Sequence, residues 1–104
     1  MSAYEYKYFK TVENPQSNGS LERMDAALFD IRQREGVIYA ALIEFLASMR
    51  MLTASTRDDM HRQALAKISA RLTSAVVLDH GFNQDRVMRD SEIVTMKALE
   101  LDEQ

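Results

Sequence analysis

Residues 36–52 read GVIYAALIEFLASMRML, and thirteen of these seventeen residues are apolar. An amphipathic helix carries one apolar stripe and one wet face, so a stretch this oily has to be covered on most of its sides. The fold turns on what covers it.

Outward from that stretch the apolar spacing is regular. Leu21, Met24, Leu28, Ile31, Glu35, Ile38, Leu42, Phe45, Met49 and Leu52 alternate steps of three and four, the seam of a coiled coil or a helical hairpin. Only Glu35 breaks its apolar character. Ser20 is a good N-cap and Glu22 suits the first turn, so the spacing predicts a helix over about 21–53, about 50 Å long. Gly36 lies inside it, where a glycine costs about 1 kcal/mol against alanine. It either admits a close neighbour or kinks the helix. The seam keeps its register across position 36, which favours a continuous helix.

The next break is LTASTRDD, where Thr56 and Asp59 match a capping box. A second helix is expected over about 57–80, with a seam of His61, Leu65, Ile68, Leu72 and Ala75 and with Val76 beside it. Gly81 can take the left-handed position that closes the helix, with Phe82 folding back on Val77. Asn83 can cap a third helix, about 84–101, with Val87, Val94, Ala98 and Leu101 on one face and Ser91 interrupting it. Glu100, Asp102 and Glu103 have the wrong sign for its C-terminal dipole, so that end is expected to fray.

Ahead of the helices, AYEYKYFKTV (3–12) alternates as a strand does, and four of the chain's eight aromatic residues fall between positions 4 and 9. NPQSNGS (14–20) is turn chemistry. The chain therefore reads as an extended aromatic arm and linker, 1–19, followed by a helical domain, 20–104. The fold class is all-α: a long antiparallel helical hairpin plus a shorter third helix.

Composition agrees. Of 104 residues, 46% are apolar and 28% charged, with one proline and three glycines, too little turn punctuation for an all-β domain. The absence of cysteine excludes disulfides and thiolate metal sites, and fits the cytoplasm. MSAYEYKYFK is charged where a signal peptide is apolar. The oily stretch is shorter than the roughly 20 residues of a membrane span and holds Glu44 and Arg50, so no membrane is expected. A net charge of −3 disfavours generic nucleic-acid binding.

Val37, Tyr39, Ile43, Leu46 and Met51 lie off the main seam and are still apolar. An antiparallel second helix covers one side, and the short third helix covers part of the rest. A second copy of the chain is the simplest cover for the remainder, giving a dimeric helical bundle with these five residues at its interface. The rival is a compact three-helix monomer with an overfilled central helix.

Chemistry is sparse. Glu44 is either a tuned acid or, more simply, a rim residue or salt-bridge partner. Glu35, opposite position 74 of a hairpin, falls within reach of Arg71, and the pair would fix register. His61 and His80 sit about 28 Å apart on one helix and cannot share a metal. No phosphate loop, nucleophile elbow or HExxH is present, so no cofactor or metal is expected. Tyr4, Tyr6, Tyr8 and Phe9 are the candidate partner-binding residues, because tyrosine supplies large contact area at low entropic cost. The function expected is non-enzymatic protein binding by a homodimer, as an adaptor, inhibitor or chaperone-like regulator. A nucleic-acid-binding regulator with paired arms, using Lys7 and Lys10, is the alternative. An enzyme with an intersubunit site at Glu44 and Tyr39 is a third.

Overall fold

A computed structural model describes residues 19–100, and the aromatic arm with its four candidate binding residues lies outside them. The described chain is four helices: α1 (Ser20–Glu35), α2 (Val37–Ser55), α3 (Asp59–His80) and α4 (Gln84–Leu99). α1, α2 and α4 pack against one another, and α3 packs mainly on α2.

The helix expected over 21–53 is two helices. Gly36 adopts φ 95°, ψ 171°, a conformation that side-chain-bearing L-residues avoid. Its N–H still donates to the Arg32 carbonyl, and its own carbonyl accepts from Ala40 N–H, so the break is one residue long. One residue is enough to reset the helical phase. In α1 the seam residues Met24, Leu28 and Ile31 are buried as the spacing predicts. Beyond Gly36 the seam residue Ile38 is 52% exposed, while Tyr39, Ile43 and Leu46, off the seam, are buried.

What buries them is α4. Val87, Ser91, Val94 and Ala98 recur at four, three and four residues, and all four are fully buried. They are small, which brings α4 close to both α1 and α2. Ser91 belongs to this face rather than interrupting it, because its hydroxyl donates to the Met88 carbonyl (2.8 Å) and accepts from Arg50 (3.1 Å).

The helix ends follow local chemistry in part. Gly81 is left-handed, and Phe82 N–H donates to the Val77 carbonyl, closing α3. Asn83 caps α4 by accepting from Arg86 N–H (3.0 Å). The Thr56–Asp59 capping box does not form. Asp58 is the N-cap of α3, accepting from His61 N–H, which holds its carboxyl below the usual range. Thr56 Oγ1 instead donates back to the Leu52 carbonyl (2.7 Å). Left-handed Gly19, not Ser20, precedes α1. At the end of α4, Arg23 from α1 donates to the Lys97 and Ala98 carbonyls and pairs with Glu100 (3.4 Å). That cation answers the unfavourable acidic end on which the sequence predicts fraying.

Candidate interaction surface

The feature that stands out is an apolar face spread over two helices. On α2, Ala41, Phe45, Ser48 and Leu52 lie half a turn from the core residues Ile43 and Ala47, at about 100° per residue. The helix thus has an inner apolar side and an outer one. On α3, Ala70 and Ser74 line a cleft of about 530 Å³ together with Gln84 and Met88 at the start of α4. Leu65, Ile68 and Leu72 lie on the opposite side of α3, about half a turn away. Leu65, Ile68 and Leu72 thus lie away from the cleft that α4 lines. Ile68 is 57% exposed and Leu72 46%. Phe45, Met49 and Leu52 are half-buried and line a shallow groove with Ala41, Glu44 and Ser48.

The face exists because α2 holds more apolar positions than its three neighbours cover. The sequence reading places the excess on the flank of α2 that carries Tyr39, Ile43 and Leu46. Of the five residues expected at a dimer interface, Tyr39, Ile43 and Leu46 are enclosed by α1 and α4 of the same chain. Met51 is half-buried against that core, and Val37 is exposed. Phe45 and Leu52, which the seam places beneath a returning helix, line the open groove of α2, while the seam residue Leu42 is buried.

The charged residues around the face are few. Glu44 is exposed rather than buried, on the edge of α2 nearest α1, where it lines a groove with Phe29 and Val37. Arg71 is exposed on α3 and is not the partner of Glu35. Glu35 pairs with Arg86 of α4 instead. The break at Gly36 turns α1 toward α4, so the end of α1 meets Arg86 rather than the middle of α3.

That pair belongs to a polar cluster securing the α1–α2 corner. The Tyr39 hydroxyl donates to Asp90 (2.6 Å), and Arg86 lies over the Tyr39 ring at 6.0 Å. Phe82 meets the ring edge-on at 5.1 Å, and His80 stacks on Phe82. Burial, then the hydrogen bond to the Asp90 carboxylate and its charge, push the Tyr39 phenol well above its ordinary value. A phenol in this setting is a structural donor, held protonated, and not a general base at neutral pH. Tyr39→Phe should therefore cost about 1–2 kcal/mol in urea unfolding, because Asp90 loses its donor while the ring packing stays. A raised folded pKa confers stability below about 10 that is lost as pH climbs past that value. The variant should lack this alkaline decline, and an identical decline in both proteins would refute the assignment.

In the cleft between α2, α3 and α4, Thr73 is buried, and neither its hydroxyl nor Arg50 Nε has a hydrogen-bond partner among the described residues. Other Arg50 nitrogens reach Ser91 and Glu92. Among the described residues no three His, Asp or Glu side chains group as metal ligands. His61 lies near Asp58 (4.0 Å) and His80 near Asp79 (3.7 Å), at opposite ends of α3. Among the described helices α2 alone is long and apolar enough to cross a membrane, and a third of that stretch is buried. No protein family, curated protein or solved structure matches the chain.

Proposed function

We propose that the chain is a small non-enzymatic protein-binding module, an adaptor, inhibitor or chaperone-like regulator, whose working form is a homodimer. The observation that supports this reading is the set of large apolar residues left open on α2 and α3: Phe45, Met49, Leu52 and Leu65 are half-buried, and Ile68 and Leu72 are exposed. A contiguous apolar patch of this kind marks an association surface, because water exposure of large side chains is unfavourable by roughly 25 cal/mol per Å². Two copies of the α2–α3 pair packed face to face would make a four-helix layer. The groove beside Phe29 and Val37, which Asp25, Arg32 and Glu44 also line, offers a mixed polar and apolar recess to a second protein.

Sedimentation equilibrium from about 1 µM to 1 mM tests the reading. A dimer is expected, and Leu72→Asp should dissociate it by at least about a hundredfold while leaving the helical circular dichroism intact, since burying an unpaired carboxylate costs several kcal/mol. A wild-type chain that remains monomeric throughout overturns it.

A further inference from the structure

We infer that the cleft between α2, α3 and α4 binds a small organic carboxylate with an apolar body, whose carboxylate accepts from Arg50 Nε–H and from the Thr73 hydroxyl. This site is separate from the open apolar residues of α2 and α3 and does not depend on dimerisation.

The cleft has its cause in the sequence. Ala66, Ser69, Ala70, Thr73 and Ser74 fall on one face of α3 at helical spacing, and all five are small. The small face of α4 is fully buried by close packing. On α3 only Thr73 is buried, and Ala66, Ala70 and Ser74 stay exposed. α3 thus does not close on its neighbours, and a hollow of about 530 Å³ remains. Ligand sites span roughly 300–1,000 Å³ and combine an apolar lining with a few polar groups that fix orientation. Leu46, Met49 and Met88 supply the apolar lining here, and of the described residues around the cleft Arg50 alone is charged.

Two buried polar atoms define the chemistry. Thr73 is 3% exposed, and its hydroxyl has no hydrogen-bond partner among the described residues. A helical threonine ordinarily donates to a carbonyl three or four residues back, as Thr95 does to Ser91 (2.8 Å). Thr73 does not, which leaves its hydroxyl for something in the cleft. Arg50 Nε is buried and unpartnered as well, while other nitrogens of the same guanidinium reach Ser91 (3.1 Å) and Glu92 (3.8 Å). Nε can only donate, so an acceptor is what satisfies it. Leaving buried donors unpaired is unfavourable, and a hydrogen bond to an ionised group is roughly twice as strong as a neutral one. A carboxylate answers both donors and the arginine charge, and an apolar body covers the leucine and methionine lining. A compact anion such as phosphate would leave that lining wet. Both donor atoms are shielded from solvent, so a side chain of the lining has to move aside. Met49 and Met88, unbranched and flexible, are suited to this.

Titration calorimetry with decanoate on the full chain, beside decanol as its uncharged counterpart, tests the site. Decanoate should bind saturably, one per chain, with a Kd below about 1 mM. Decanol should bind at least about tenfold more weakly. Thr73→Val removes the hydroxyl without changing the shape, so the fold should persist by circular dichroism while decanoate binding weakens about tenfold. Arg50→Gln should weaken it by at least as much. Arg50 also ties α2 to α4, so Ala70→Leu, at the exposed rim, gives a second variant independent of that tie. It should fill the hollow and abolish binding. No saturable binding of decanoate overturns the inference. So does decanol binding as well as decanoate, or unchanged binding in both Thr73→Val and Ala70→Leu. Binding lost in Leu72→Asp but kept in Thr73→Val would place the ligand on the open side of α3 and overturn it too. None of these outcomes turns on the oligomeric state of the chain, which sedimentation decides separately.

Discussion

Ile43→Ala should destabilise the chain by about 3–4 kcal/mol, and Ile38→Ala by no more than about 1.5. The two residues are alike in chemistry and lie on the same helix. Ile43 is 0% exposed, in the layer where α2 meets α1 and α4, and Ile38 is half exposed on the other side. Removing three buried carbons costs transfer free energy plus a cavity term, and the total for Ile→Ala spans roughly 2–5 kcal/mol according to how far the surroundings collapse. Collapse is restrained here. α2 is held to α4 near one end by Tyr39–Asp90 and near the other by Arg50–Ser91. A cost in the upper half of the range follows. For a domain of this size each kcal/mol moves the midpoint by about 4–8 °C, so the shift on heating should be of the order of 15 °C or more. Thermal unfolding followed at 222 nm, at one protein concentration for both variants, measures it. Equal losses at the two positions would mean that the inner face of α2 is the one the uninterrupted seam assigns.

That contrast also marks where the sequence is legible. Helix identity is set by local chemistry, and local chemistry is written in the chain. Gly81 followed by Asn83 states one helix end and the next beginning, and both act as expected. The seam of α1 is likewise readable, because spacing and burial coincide while the phase advances evenly. Across Gly36 they part. The three-four spacing of the letters continues, but a single residue at ψ 171° redirects the axis, so Ile38 turns outward and Tyr39 and Ile43 turn in. The partners of charged residues were not readable for a different reason. Glu35 can meet Arg71 or Arg86, and Arg23 finds carbonyls about 75 positions away. Only the packing of helices settles such choices. The recurrence of Val87, Ser91, Val94 and Ala98 was a usable signal, a stripe of small residues at helical spacing. Ser91 obscured it by being polar, although a serine can satisfy its hydroxyl on its own helix.

Gly36→Ala gives the sharpest separation, since two architectures predict opposite signs. In an unbroken helix the substitution would stabilise by about 1 kcal/mol, the ordinary difference in helix propensity. At φ 95°, ψ 171° it should destabilise by about 1–3 kcal/mol, the cost of holding an L-residue in a region open to glycine. Crowding is not the cause, because a Cβ at this position has no atom of the surrounding structure within 4 Å. The penalty is in the backbone alone, and alanine's smaller unfolded-state entropy offsets it by only about 0.4–1 kcal/mol. The chain can escape the strain by straightening. It would then draw Glu35 from Arg86 and Tyr39 from Asp90, giving up the polar cluster that holds the corner. A control isolates the backbone term. D-alanine at position 36, introduced by ligation, finds this conformation within its own allowed extended region, the mirror image of the L-residue's. It should match the native stability or exceed it. Urea unfolding of the two variants decides the matter: loss with L-alanine and none with D-alanine establishes the one-residue corner, whereas a gain with L-alanine would restore the long straight helix and, with it, the seam as the core.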